Sequence, residues 1–131
     1  MAHVTGTFTV QITPLPADDA AAPTPGRMAI AKQFAGPLTA TSRGQMLAAM
    51  GDVKGSAGYV AIEVVTGVLD GREGSFALQH LGVSDRGVQS LNVRVVPDTG
   101  TGALAGLRGE MQIVVEGGAH SYVFDYELPA V

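Results

Sequence analysis

The stretch GVLDGREGSFALQHLG, residues 67–82, decides the reading of the chain. Val68 and Leu69 end one apolar run, Asp70–Gly74 supplies three turn residues, and Phe76, Leu78 and His80 then alternate with Ala77, Gln79 and Leu81. Apolar runs of period two on either side of a glycine-rich break predict a β-hairpin, Ala57–Leu69 followed by Ser75–Val83. Placing Leu69 opposite Ser75 puts Val60, Ile62, Val64, Thr66 and Val68 on one face with Phe76, Leu78 and His80. Tyr59, Ala61, Glu63, Val65, Ala77, Gln79 and Leu81 fall on the other. In that register Glu63 is a surface charge, because the larger aliphatic side chains lie opposite it. A one-residue slip of one strand would exchange its faces.

The same period runs outward in both directions. Val4, Gly6, Phe8, Val10 and Ile12 alternate with Thr5, Thr7, Thr9, Gln11 and Thr13, a strand with one apolar and one hydroxylated face. Residues 14–27 carry four prolines and a run of alanines, which predicts a long connection able to cover one end of the fold. Met28–Ala35 is a second strand, and Leu38–Thr41 a third that continues or bends through Gly44. Gln45–Met50 reads equally as strand or as one short helix. Leu91–Val96 is a further strand, the glycine-rich Thr101–Gly109 wraps an edge or closes an end, and Glu110–Glu116 pairs with His120–Leu128.

About eight antiparallel strands without a long helix must close on themselves or fold into a sandwich to bury their apolar side. The expectation is an all-β chain forming an eight-stranded antiparallel β-barrel, one domain over residues 1–131. Its interior is either filled or holds one small ligand. Eighteen glycines and seven prolines fit that reading, since glycine costs about 1 kcal/mol in a helix interior.

The absence of cysteine rules out disulfides, thiolate metal sites and a thiol nucleophile. The net charge is −4, and the basic residues are scattered singly, so neither nucleic acid nor an anionic membrane is an expected partner. Residues 1–6 lack a basic start followed by an apolar run, and no segment reaches the ~20 apolar residues of a spanning helix. A soluble protein is the resulting expectation, and the lack of cysteine, which gives no sign of an oxidising compartment, makes a cytoplasmic location the default expectation.

Signatures for phosphate binding, zinc hydrolysis, serine hydrolysis and calcium binding are missing, and no metal or cofactor is expected. His3, His80 and His120 fall in unrelated places. His80 is the leading proton-transfer candidate, since imidazole titrates near neutrality and an apolar lumen would lower its pKa further. The plainer reading is a neutral ring bonded to backbone. Tyr122 and Tyr126 share one strand face and offer phenolic donors to a ligand, or simply fill the core. Lys32 lies in line with Ile30 and Phe34 and is expected to reach solvent at a rim, because an unpaired buried ammonium is expensive.

The segments KQFAG (32–36), GSAGYVAIE (55–63), GREGSFALQH (71–80) and GTGALAGL (100–107) resemble, in order, the motifs of the bacterial DUF3224 family. The resemblance runs from about Val4 to Leu128 and implies an antiparallel barrel of the allene oxide cyclase type. Proteins of that wider type confine apolar reactive molecules and control how they close or couple, although a shared fold does not transfer a reaction. These segments include Tyr59, Glu63, Gln79 and His80, which raises Glu63 as a site candidate despite its surface assignment.

Three functional readings follow. In the first, the lumen binds a small apolar molecule, with Tyr122, Tyr126, Gln79, Tyr59 and Lys32 as polar contacts. In the second, the same pocket is a cofactor-independent isomerase or cyclase in which His80 or Glu63 moves a proton. In the third, the barrel is filled and serves assembly as a homo-oligomer through outer apolar positions such as Val65 and Val123.

Overall fold

A computed structural model describes residues 1–17 and 23–129. Eight strands run β1 (Ala2–Leu15), β2 (Gly26–Ala35), β3 (Leu38–Met50), β4 (Ala57–Leu69), β5 (Arg72–Asp85), β6 (Val88–Val95), β7 (Arg108–Glu116) and β8 (Ala119–Glu127). Each is antiparallel to its sequence neighbour, and β8 returns to β1 (Ala2 opposite Tyr126) to close the barrel. β1 and β2 each take in two residues of the connection expected at 14–27, and positions 18–22 of that connection lie outside the described residues. Gln45–Met50 is strand, the helical alternative being overruled by pairing with Ala57–Ile62 along β4.

The register of the central hairpin corrects the sequence reading. Leu69 lies opposite Arg72, not Ser75, because Asp70 and Gly71 form a two-residue turn with φ of 49° and 81°. Two left-handed residues match the right-handed twist of the flanking strands, and Asp-Gly is well suited to them. Odd residues of β4 thereby face inward with the even residues of β5. Ala61, Glu63, Val65 and Leu69 are buried, whereas Val60, Ile62, Val64 and Val68 are exposed. Val65, expected outside, is a core residue.

The end of the barrel that holds the β2–β3, β4–β5 and β6–β7 connections is closed. Leu38, Leu69, Phe76, Leu78, Leu104, Leu107, Phe124 and Tyr126 fill it, with the Phe76 and Phe124 rings stacked at 6.0 Å. The glycine-rich segment contributes through a single 3₁₀ turn, Gly102–Leu104, which drops Leu104 onto that core. Toward the opposite end the interior is wetted. Ile12, Leu91 and Val115 have inward parity yet are 51%, 43% and 59% exposed.

The ladder between β6 and β7 contains just two pairs, Val93 with Met111 and Arg94 with Glu110. The ladders on either side of β4 contain thirteen pairs each. Above Val93 and Met111 the two strands part, leaving a seam toward the open end.

Candidate functional site

The corrected register brings three ionisable side chains together inside the barrel. Glu63 on β4 has no exposed surface; its Oε2 accepts a hydrogen bond from His80 Nε2 on β5 at 2.7 Å and from Lys32 Nζ on β2 at 2.8 Å. Both partners are buried as well. Lys32 therefore does not reach the rim as expected; Glu63 compensates its charge, and the ammonium lies 5.0 Å from the centre of the Phe8 ring. His80 bonds to a carboxylate and not to backbone.

Burial alone would push the Glu63 pKa up, but the hydrogen bond from His80 and the charge and hydrogen bond of Lys32 outweigh it and hold the carboxyl below its ordinary 4.5. Glu63 is ionised at neutral pH. An ionised carboxylate only accepts, so His80 Nε2 carries the proton of their shared bond.

Local sequence makes room for this arrangement. Gly44 on β3 lies opposite Glu63, and a Cβ there would fall 2.1 Å from the Ile62 carbonyl oxygen and 2.6 Å from Glu63 Cα. Gly82 on β5 similarly accepts the Tyr59 ring, which a Cβ would meet at 2.2 Å. Tyr59 faces inward toward the open end, and burial, then the negative charge of Glu63, raises its pKa. A recess of about 190 Å³ lies beside it, lined by Ala57, Tyr59, Gly82, Ser84, Gln89 and Leu91 among others.

Two buried side-chain polar atoms among the described residues have no hydrogen-bond partner: Glu63 Oε1 and Ser42 Oγ. Ser42 lies opposite Lys32 on one side and Val65 on the other, hence diagonal to Glu63 across β3 and β4. An unsatisfied buried acceptor costs about 1–3 kcal/mol, more when charged, and two in one patch of lumen mark a place suited to a donor.

The other candidates lie elsewhere. The Tyr122 hydroxyl is engaged between the Leu38 amide and the Ala35 carbonyl, and Tyr126 hydrogen-bonds Asp70 at the closed end. Burial and then Asp70 push the Tyr126 pKa up to about 12. Gln79 is exposed on the outer face beside Ile62. His3 pairs with Asp125, and the His120 ring packs on Phe8. No cluster suited to a metal ion occurs among the described residues, and none of their helices is long and apolar enough to cross a membrane. Sequence reasoning missed Ser42 and Gly44. The signal that would have joined Glu63 to His80 was the Asp-Gly dipeptide, which favours a two-residue turn over the five-residue loop.

The model of a protein family of unknown function, DUF3224, matches residues 4–126. The chain belongs to the DUF3224 family. A crystal structure of a DUF3224 protein of unknown function from Shewanella oneidensis MR-1 is similar to it, with 49% identity and a TM-score of 0.92. That likeness covers 100% of this chain and 99% of the other. No curated protein matches the DUF3224 chain described here.

Proposed function

We propose that this DUF3224 barrel binds a small, mostly apolar molecule in the open half of its lumen, with a hydrogen-bond-donating group directed to Glu63. The observation that carries this reading is the buried Lys32–Glu63–His80 network, in which one carboxylate oxygen takes both partners and the other takes none. A network serving packing alone would be expected to satisfy every member, because a half-satisfied polar core is less stable than an apolar one. The ligand body would lie against the inward apolar side chains above the network, including Ile30, Met46, Tyr59 and Ile113. It would enter from the wetted end or through the β6–β7 seam.

The first test is native mass spectrometry of protein purified from its own host, followed by mild denaturation to release bound molecules. A near-stoichiometric small molecule, lost from a folded Glu63→Gln variant, is the expected result. Once that molecule is in hand, an equal affinity for the wild type and Glu63→Gln would overturn the reading.

A second reading, a cofactor-independent isomerase or cyclase, is favoured by the His80–Glu63 hydrogen bond, which links an imidazole to an ionised carboxylate inside a low-dielectric site. Confinement of an apolar substrate, as the implied barrel type suggests, would supply the near-attack geometry. Its test is turnover of the co-purified molecule. His80→Gln should abolish product formation while leaving affinity largely intact, whereas loss of affinity without any turnover in the wild type favours binding alone.

A further inference from the structure

We infer that Lys32 is a carbonyl-capturing amine: an apolar aldehyde or ketone held in the lumen condenses with its Nζ to a protonated Schiff base that takes Glu63 as counter-ion. The inference rests on the lumen-binding reading above and names the ligand class for that same site. The Lys32 side chain is 6% exposed, with Nζ 2.8 Å from Glu63 Oε2 and 5.0 and 5.9 Å from the centres of the Phe8 and Phe34 rings. Of the three N–H donors of an ammonium, one meets a hydrogen-bond acceptor among the described residues.

A compact, strongly hydrated ammonium is an expensive choice for packing an apolar lumen, whereas a lysine in a dry pocket is the side chain that forms Schiff bases with carbonyl compounds. Two further groups stand unused around it. Glu63 Oε1 is buried and accepts no hydrogen bond, and Ser42, directly opposite Lys32 on β3, holds an unpartnered buried Oγ. Together they supply what the condensation needs: a carboxylate that carries protons off nitrogen and a hydroxyl that hydrogen-bonds the carbonyl oxygen. An ion pair kept for packing alone uses neither.

In the reaction, Glu63 takes one proton from the ammonium and the freed lone pair on Nζ attacks the carbonyl carbon. The C–N bond forms as the C=O π pair moves to oxygen, which Ser42 Oγ hydrogen-bonds and which collects the proton from Glu63. A second proton follows the same route from nitrogen to that hydroxyl, the C–O bond breaks, and water leaves as the nitrogen lone pair closes the C=N bond. Ammonium and carbonyl thus become iminium and water. Both protons lost by nitrogen depart on the water, and the single positive charge stays beside Glu63. The buried charge balance is unchanged, and the iminium N–H becomes the ligand's donor toward the carboxylate.

The sequence makes the test clean, because the chain has two lysines, Lys32 and the exposed Lys54, and no cysteine to compete for the aldehyde. The folded full chain is incubated with cuminaldehyde or benzaldehyde and sodium cyanoborohydride, which delivers hydride to the iminium carbon and fixes the adduct as a secondary amine. Peptide mapping by mass spectrometry then locates it. Binding of cuminyl alcohol, which has the apolar body and a donor but cannot condense, is measured in parallel by calorimetry. Lys32 should be modified at least about tenfold faster than Lys54, since the lumen holds the carbonyl against it. Lys32→Arg, which keeps the charge but forms no Schiff base, should lose that adduct. Alcohol binding with modification no faster at Lys32 than at Lys54 overturns the inference and leaves the binding reading standing. Neither alcohol binding nor a Lys32 adduct overturns the inference and counts against that reading as well. The wild-type map decides even if the arginine variant fails to fold.

Discussion

Glu63 keeps its charge without contact with solvent because two donors converge on one of its oxygens, and that makes its partners interdependent. Glu63→Gln leaves the Lys32 ammonium buried without a counter-charge. It should cost about 3–5 kcal/mol in urea unfolding, and adding Lys32→Met should recover most of the loss, since a well-packed apolar replacement need not be worse than the ion pair. The carboxyl also gives the fold a defined acid response. Its folded pKa lies below the ordinary 4.5, so the unfolded chain binds the proton more tightly. The stabilisation is complete above about 4.5 and is lost as pH falls through the lower folded value. Melting temperatures of wild type measured from pH 6 downward should therefore drop more steeply than those of the Lys32→Met/Glu63→Gln variant. Tyr126 gives the opposite response at the other end of the scale. Its folded pKa is raised from 10.0 to about 12, so its contribution is present below 10 and disappears as pH rises toward 12. Tyr126→Phe should flatten the alkaline limb of the same melting profile. Composition could not have disclosed either group, since the shifts depend on tertiary placement: His80 and Lys32 lower the Glu63 pKa against the effect of burial, and burial followed by Asp70 raises that of Tyr126.

At the scale of elements, the hairpin of β4 and β5 shows what alternation does and does not determine. The period of two located both strands and gave β5 its correct inward face, Phe76, Leu78 and His80. It could not orient β4, where both parities are aliphatic: Val60, Ile62 and Val64 read as plausible a core as Ala61 and Val65. Turn geometry supplied the missing information, and a shift of three residues moved Glu63 from surface to lumen. The closure of Gly44 against β4 is a more local matter, and it makes a direct forecast. Gly44→Ala should destabilise by about 1–3 kcal/mol, because its Cβ meets backbone and not a movable side chain. Urea unfolding reads the loss. The two-pair ladder of β6 and β7 predicts uneven protection as well. Backbone amides in β4 that bond into either thirteen-pair ladder should resist hydrogen exchange up to the global unfolding limit. Those of β6 and β7 that face the seam above Val93 and Met111 should exchange through local opening many times faster.

On the scale of the whole molecule, stability rests on closure, because each strand buries its inward face only while its two neighbours hold the ring. The eight-strand order was legible from turn signals and the lack of any covering helix, but no local signal shows that the ring is joined by its ends. β1 meets β8 over Ala2–Phe8 and His120–Tyr126, the pair most distant in sequence. This placement of the termini allows connectivity to be separated from closure. A circular permutant that joins the C-terminus to the N-terminus through a short flexible linker, and opens the chain between Gly117 and Gly118, keeps every ladder. Both glycines are exposed at φ of 57° and 82°, and a Cβ on either would touch nothing within 4 Å. The permutant should retain one cooperative thermal transition close to that of the parent. Deleting residues 1–8 removes the β1–β8 ladder and the Phe8 ring that packs against Phe34, and it leaves β8 with a bare edge and Phe34 and Ala35 of β2 without their partners. That chain should lose the cooperative transition and associate through the edges it has exposed. If the truncated chain instead melted as sharply as the parent, the closed end packed around Phe76, Leu104 and Phe124 would be sufficient for folding. The ring would then matter only to the lumen it encloses.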